Sequence, residues 1–79
     1  MELSQVNRIY TLHRFFSTKK NIASHELCKR LKVSRATLFR DLEMLKDIGA
    51  PIDYCAFTRK HYYRTHFQMT LEEFLKKVV

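Results

Sequence analysis

The stretch Ser24-His25-Glu26-Leu27-Cys28-Lys29-Arg30-Leu31-Lys32-Val33-Ser34-Arg35-Ala36-Thr37-Leu38-Phe39-Arg40-Asp41-Leu42 decides how this chain folds, because it holds two helix starts. Ser24 precedes an apolar pattern at Leu27, Cys28 and Leu31, and its hydroxyl can accept from a free N–H of the first turn, as an N-cap does. Ser34 opens a second pattern, in which Leu38, Leu42 and Leu45 are spaced four and three apart and mark the core face of a helix over Arg35 to Ile48. Gly49 stands where a left-handed residue ends a helix, and Pro51 prevents the helix from resuming. Only Lys32 and Val33 remain for the connection, and two short helices joined by so tight a turn form a helix-turn-helix.

Working outward, Val6, Ile9, Leu12, His13 and Phe16 form one stripe of an amphipathic helix expected from Leu3 to Ser17, with Arg8 and Arg14 off that stripe. Ser17 to Asn21 is polar and reads as a turn, and Ile22-Ala23 as a short extended bridge. Downstream, Ile52 to Phe57 alternates and Tyr62 to Thr65 is a second β-prone run, which makes Thr58-Arg59-Lys60-His61 the hairpin loop. A basic hairpin after a helix-turn-helix has the pattern of a wing. Thr70 with Glu73 three residues on has capping-box spacing, and Leu71, Phe74, Leu75 and Val78 stripe a last helix. The expected fold is mainly α with a small β-hairpin (α+β): a winged helix-turn-helix of three helices plus wing over residues 1–66, then a linker and short C-terminal helix over 67–79.

Composition narrows the function. At 79 residues the chain is about half the ~150-residue domain prior, and it is too small to enclose a deep catalytic cavity. Its 46% hydrophobic and 29% charged residues fit a folded domain, and a single Gly and a single Pro leave few loops. No apolar run approaches the roughly 18 residues needed to span a bilayer, and no secretory pattern opens the chain, so a cytoplasmic location is expected. The net charge of +7 points to a polyanionic partner. Lys29, Arg30, Lys32, Arg35 and Arg40 fall together with no acid among them, and Arg59, Lys60 and Arg64 form a second basic group. Cys28 and Cys55 are expected to be reduced, small apolar residues, and neither they nor His13, His25, His61 and His66 show metal-ligand spacing. No cofactor and no small-molecule ligand is expected.

On a wheel of about 100° per residue, the side of the Arg35–Ile48 helix opposite its leucines carries Ala36, Arg40, Glu43 and Asp47, flanked by Thr37 and Met44. Its first two turns are small or basic and its later turns acidic. A phosphate-lined groove accepts such a helix by its N-terminal end, the geometry in which recognition helices reach base edges. Arg40 can fork onto guanine O6 and N7, Ser34, Thr37 and the free amides suit phosphate oxygens, and Ala36 permits close approach and a thymine-methyl contact. Arg35 lies in the same first turn, and Arg59, Lys60 and His61 are expected on the backbone beside the groove.

The residues from Ile22 to Leu42 resemble the DeoR-type winged helix and, more narrowly, the N-terminal domain of bacterial WYL-domain regulators. The resemblance runs from about Val6 to Arg64 and rests on Glu26-Leu27, Val33-Ser34, Thr37, Arg40-Asp41-Leu42, Leu45, Gly49-Ala50-Pro51-Ile52 and Tyr62. It implies a bacterial or phage transcriptional regulator in which Ser34, Arg35, Thr37 and Arg40 carry DNA contact and Asp41 positions a neighbouring basic group. The chain departs from the family at Cys28, where a small Ala is usual, and at Lys60-His61, which replace a glycine-rich wing turn. Phe67 to Glu73 resembles the linker that leads into an effector-sensing domain in that family, and no such domain follows, so the chain is expected to be a short regulator or a fragment.

The expected function is sequence-specific binding of double-stranded DNA to regulate transcription, by repression, with a homodimer through the C-terminal helix as a further expectation. The alternative is a protein-interaction winged helix, an adaptor that presents Met44, Phe39 and the last helix. An enzyme is not expected, since no nucleophile–base pair, metal spacing or glycine-rich phosphate loop is present. A membrane-surface role lacks the broad apolar face it requires.

Overall fold

The computed structural model describes residues 3–18 and 21–78, without the side chains of Leu3 and Val78. In chain order the elements are α1 (Leu3–Thr18), β1 (Ile22–Ala23), α2 (Ser24–Leu31), α3 (Arg35–Ile48), β2 (Ile52–Cys55), β3 (Lys60–Tyr63) and α4 (Leu71–Val78). The expected turn at Ser17–Asn21 includes residues 19 and 20, which lie outside the described residues, as does the side chain of Val78 in the last helix's stripe.

The three strands form one antiparallel sheet in the order β1-β3-β2. Ile22 pairs with His61 and Ala23 with Lys60, while β2 pairs with β3 from Ile52–Tyr63 to Cys55–Lys60. The chain is thus a winged helix-turn-helix of the α+β class, with four helices and a three-stranded sheet among the described residues.

The apolar stripes of α1, α2 and α3 meet in one core built on Ile9, Leu12, Leu27, Leu38 and Leu45, all fully buried, which Ile22 of β1 joins from the sheet. Burying such side chains contributes roughly 1.5–3 kcal/mol each, so rolling α3 about its axis would expose several at once. A second attachment is polar: Asp41, buried on α3, accepts from Arg8 Nε and, at 3.1 Å, from Arg8 Nη2 on α1. Arg8 therefore does not sit idle off the apolar stripe; it ties the first helix to the third.

The boundaries differ from the sequence reading in two places. Ser24 is not an N-cap: Ala23 holds that position with no side-chain cap, and the Ser24 hydroxyl is hydrogen-bonded to His61 Nε2 at 2.7 Å. The ladder to β3 keeps Ala23 extended, and the helix begins at Ser24, one residue earlier than capping chemistry suggests. In the hairpin, the Arg59 amide donates to the Cys55 carbonyl at 2.7 Å and closes a turn over residues 56–59. Lys60 and His61 consequently belong to β3 rather than to the loop, and Ala56 and Phe57 belong to the loop rather than to β2. Phe74 of α4 is fully buried against Tyr10 of α1, with ring centroids 5.5 Å apart. Lys77 Nζ donates to the Ile48 carbonyl at the end of α3 at 3.2 Å, while Leu71 and Leu75 stay exposed.

Candidate nucleic-acid interface

The connection between α2 and α3 is short because Lys32 adopts a left-handed conformation, φ 56° and ψ 48°, which reverses the chain within one residue. The amides of Lys32 and Val33 both reach the Cys28 carbonyl, the latter at 3.1 Å, satisfying the end of α2. Ser34 then caps α3: its Oγ accepts from the Thr37 amide at 3.2 Å and donates to Thr37 Oγ1 at 3.1 Å. Gly49 ends α3 at φ 119°, its amide bonded to the Leu45 and Lys46 carbonyls, as the sequence led us to expect.

The rotation of α3 is fixed by its inner face, where Leu38, Asp41, Leu42, Leu45 and Ile48 are buried. The opposite surface begins with Ser34, Arg35, Ala36, Phe39 and Arg40, all exposed, with Thr37 half-buried at the edge. Ser34, Arg35, Ala36, Thr37 and Arg40 therefore share the N-terminal half of α3. The acids come later: Glu43 pairs with Lys46 at 3.6 Å, and Asp47 is exposed near the C-terminus of the helix. The leading end of α3 joins cationic side chains to the positive end of the helix dipole and its unpaired amides, which suits an anionic surface.

Arg59 and Lys60 are exposed at the far end of the hairpin. Arg59 is held left-handed at φ 59°, the position a glycine would take in a turn of this kind. His61 is elsewhere. It is 6% exposed, faces inward from β3, and bonds to Ser24 at the start of α2. Burial, together with the nearby Lys46 charge, pushes its imidazole below the ordinary histidine range. The expectation that His61 lies in the loop beside Arg59 and Lys60 is corrected accordingly: it braces the sheet against the helix-turn-helix.

That brace is aromatic and was not visible in the pattern of charges. The Arg35 guanidinium lies 5.5 Å from the Phe39 ring centroid, Phe39 meets His61 edge-on at 6.0 Å, and His61 packs on Tyr54 of β2 at 4.8 Å. A chain of rings thus joins the exposed end of α3 to the hairpin. The four-residue spacing of Arg35 and Phe39 was the available signal for the first link. The link from Phe39 to His61 depends on strand register, which residue spacing does not reveal.

Elsewhere, His13 is buried on α1 and shares a 2.9 Å hydrogen bond between its Nδ1 and the Tyr63 hydroxyl. Burial lowers the His13 pKa and raises that of Tyr63. Among the described residues no group of His, Cys, Asp and Glu is arranged to hold a metal ion, and no helix is long and apolar enough to cross a membrane. Compared with known proteins, residues 8–54 match the family model described as an HTH domain. No curated protein and no solved structure matches the chain.

Proposed function

The chain belongs to the HTH domain family, and from that membership we propose that it is a sequence-specific reader of double-stranded DNA that represses transcription by occupying promoter sites. The family supports the broad role, a DNA-binding transcription regulator. The finer kinship, with DeoR-type regulators and the N-terminal domains of WYL-domain regulators, is our reading of Val33-Ser34, Thr37, Arg40-Asp41-Leu42 and Gly49-Ala50-Pro51-Ile52.

One observation carries the reading: burial of its inner face fixes the roll of α3, and the outward face so presented is basic over its N-terminal half, at Arg35 and Arg40, with its acids, Glu43 and Asp47, only towards the C-terminus. With α3 in the major groove, Arg40 forks onto guanine, worth about 1–3 kcal/mol of discrimination, and Ala36 faces the base edges closely. Ser34, Arg35 and Thr37 take phosphate oxygens at the groove edge, and Arg59 and Lys60 grip the adjacent backbone. In this reading residues 1–66 are the DNA-binding unit and residues 67–79 link it to a second copy. The exposed Leu71 and Leu75 of α4 form the contact, and the site is a pseudo-palindrome.

The test is selection of bound sequences from random duplexes at two salt concentrations. A recurring motif is expected, with binding that falls as salt rises; the three cations assigned to phosphate, Arg35, Arg59 and Lys60, correspond to a log–log slope of about −2.7 for each copy bound. Failure to enrich any motif at either salt concentration contradicts the proposal.

A further inference from the structure

Phe57 is 96% exposed, the most exposed large apolar side chain among the described residues, and it stands in the turn of the hairpin. Neither the core nor the ring chain between α3 and the sheet uses it. Its surroundings are cationic: from Tyr54 to Phe67 the chain carries Arg59, Lys60 and Arg64 and no acidic residue. Nor is the turn slack. The Arg59 amide closes it onto the Cys55 carbonyl at 2.7 Å, directly beyond the Cys55–Lys60 pair of the β2–β3 ladder. A ring is therefore held out in water, at a hydrophobic cost, on a stiff and positively charged support.

We propose that Phe57 is a wedge that enters the DNA minor groove beside the site read by α3 and partly unstacks a base step there. The proposal rests on the DNA-binding reading and adds a distortion of the duplex to it. Position favours this occupant. His61, opposite Tyr54, is where the hairpin touches Phe39 of α3, and Phe57 stands in the turn that follows Cys55, at the free end of the same hairpin. With α3 in the major groove, a hairpin anchored on Phe39 brings its turn to the sugar-phosphate strand that separates that groove from the neighbouring minor groove. Arg59 and Lys60 then meet the phosphates on either side, while the ring, which can make no polar contact, goes between bases. Apolar side chains inserted in this way kink duplexes, and the unstacking is offset by the additional backbone contacts that bent DNA permits. Pyrimidine–purine steps unstack most readily, so the wedge would favour such a step next to the α3 motif without reading its base edges.

The experiment uses the full chain and a duplex taken from the selection described above, with 2-aminopurine at successive positions flanking the motif and donor and acceptor dyes at its ends. The wild-type chain is expected to brighten 2-aminopurine at one step and shorten the end-to-end distance. Phe57→Ala, which removes no buried contact, is expected to abolish both signals while keeping affinity within about tenfold, because the lost wedge contact and the recovered stacking offset one another. Phe57→Leu is expected to restore the bend. A duplex left straight and stacked by the wild-type chain, or bent equally by Phe57→Ala, overturns the wedge while leaving the α3 reading intact. Phe57-dependent binding to phosphatidylglycerol vesicles, with an undistorted duplex, overturns it in favour of a lipid surface. Absence of any DNA binding by the wild-type chain removes the function on which the wedge depends.

Discussion

At the scale of single residues, two side chains do unlike work in the same basic-looking sequence. Arg59 occupies a left-handed position that costs a non-glycine residue about 1 kcal/mol, and the proposed function sets it against a backbone phosphate. Arg59→Gly is therefore expected to keep or raise the melting temperature while weakening DNA binding, a split that thermal unfolding and a binding isotherm would reveal together. Asp41 is the reverse case: buried, bonded to Arg8, and remote from any groove. Asp41→Ala takes the buried carboxylate away from the half-buried Arg8 guanidinium and is expected to cost about 3 kcal/mol in denaturant unfolding. The sequence placed Asp41 next to Arg40 and implied a positioning role, but its partner lies 33 residues away, a separation that no local pattern encodes. His61 was misplaced for a related reason. A hairpin's turn is set by the residue able to take a left-handed φ, and no glycine marked Arg59 as that residue.

At the scale of elements, α3 was the most legible, because each end carries its own chemical stop. Ser34→Ala removes the cap and is expected to cost about 1 kcal/mol, and Gly49→Ala a similar amount through its positive φ alone, since open space surrounds the missing Cβ. Chemical denaturation of the two variants would measure both losses. The Thr70–Glu73 capping box was equally readable: the Glu73 amide donates to Thr70 Oγ1 at 3.1 Å and the Thr70 amide to Glu73 Oε1 at 3.2 Å. The start of α2 was not, because Ser24 satisfies the pattern of a cap while its hydroxyl is taken by a strand distant in sequence. The two-residue β1 shows the same limit. Ile22 and Ala23 are too few for periodicity, and only their pairing with β3 makes them a strand.

At the scale of the whole molecule, the buried histidines set a pH dependence. Burial lowers the pKa of both His13 and His61 in the folded chain, so the unfolded chain binds more protons below the ordinary histidine value of about 6.5. Their contribution to stability is fully present above that pH and is lost as pH falls through the depressed folded values. The melting temperature should accordingly decline on acidification from pH 7 to 5, and His13→Phe or His61→Phe should flatten the decline. A flat wild-type profile would contradict this. The charge distribution belongs to the same scale: α3 opens basic and closes acidic, and the end of the hairpin carries Arg59 and Lys60, both exposed. The central claim is that this leading end reads bases. It is tested most directly by titrating Arg40→Ala against the selected duplex and against random duplex at one salt concentration. The account predicts a loss of about tenfold or more on the selected duplex with little loss on the random one, because Arg40 is assigned to a base edge. Equal losses on both would show that Arg40 touches only backbone and would contradict the assignment of α3 to base readout.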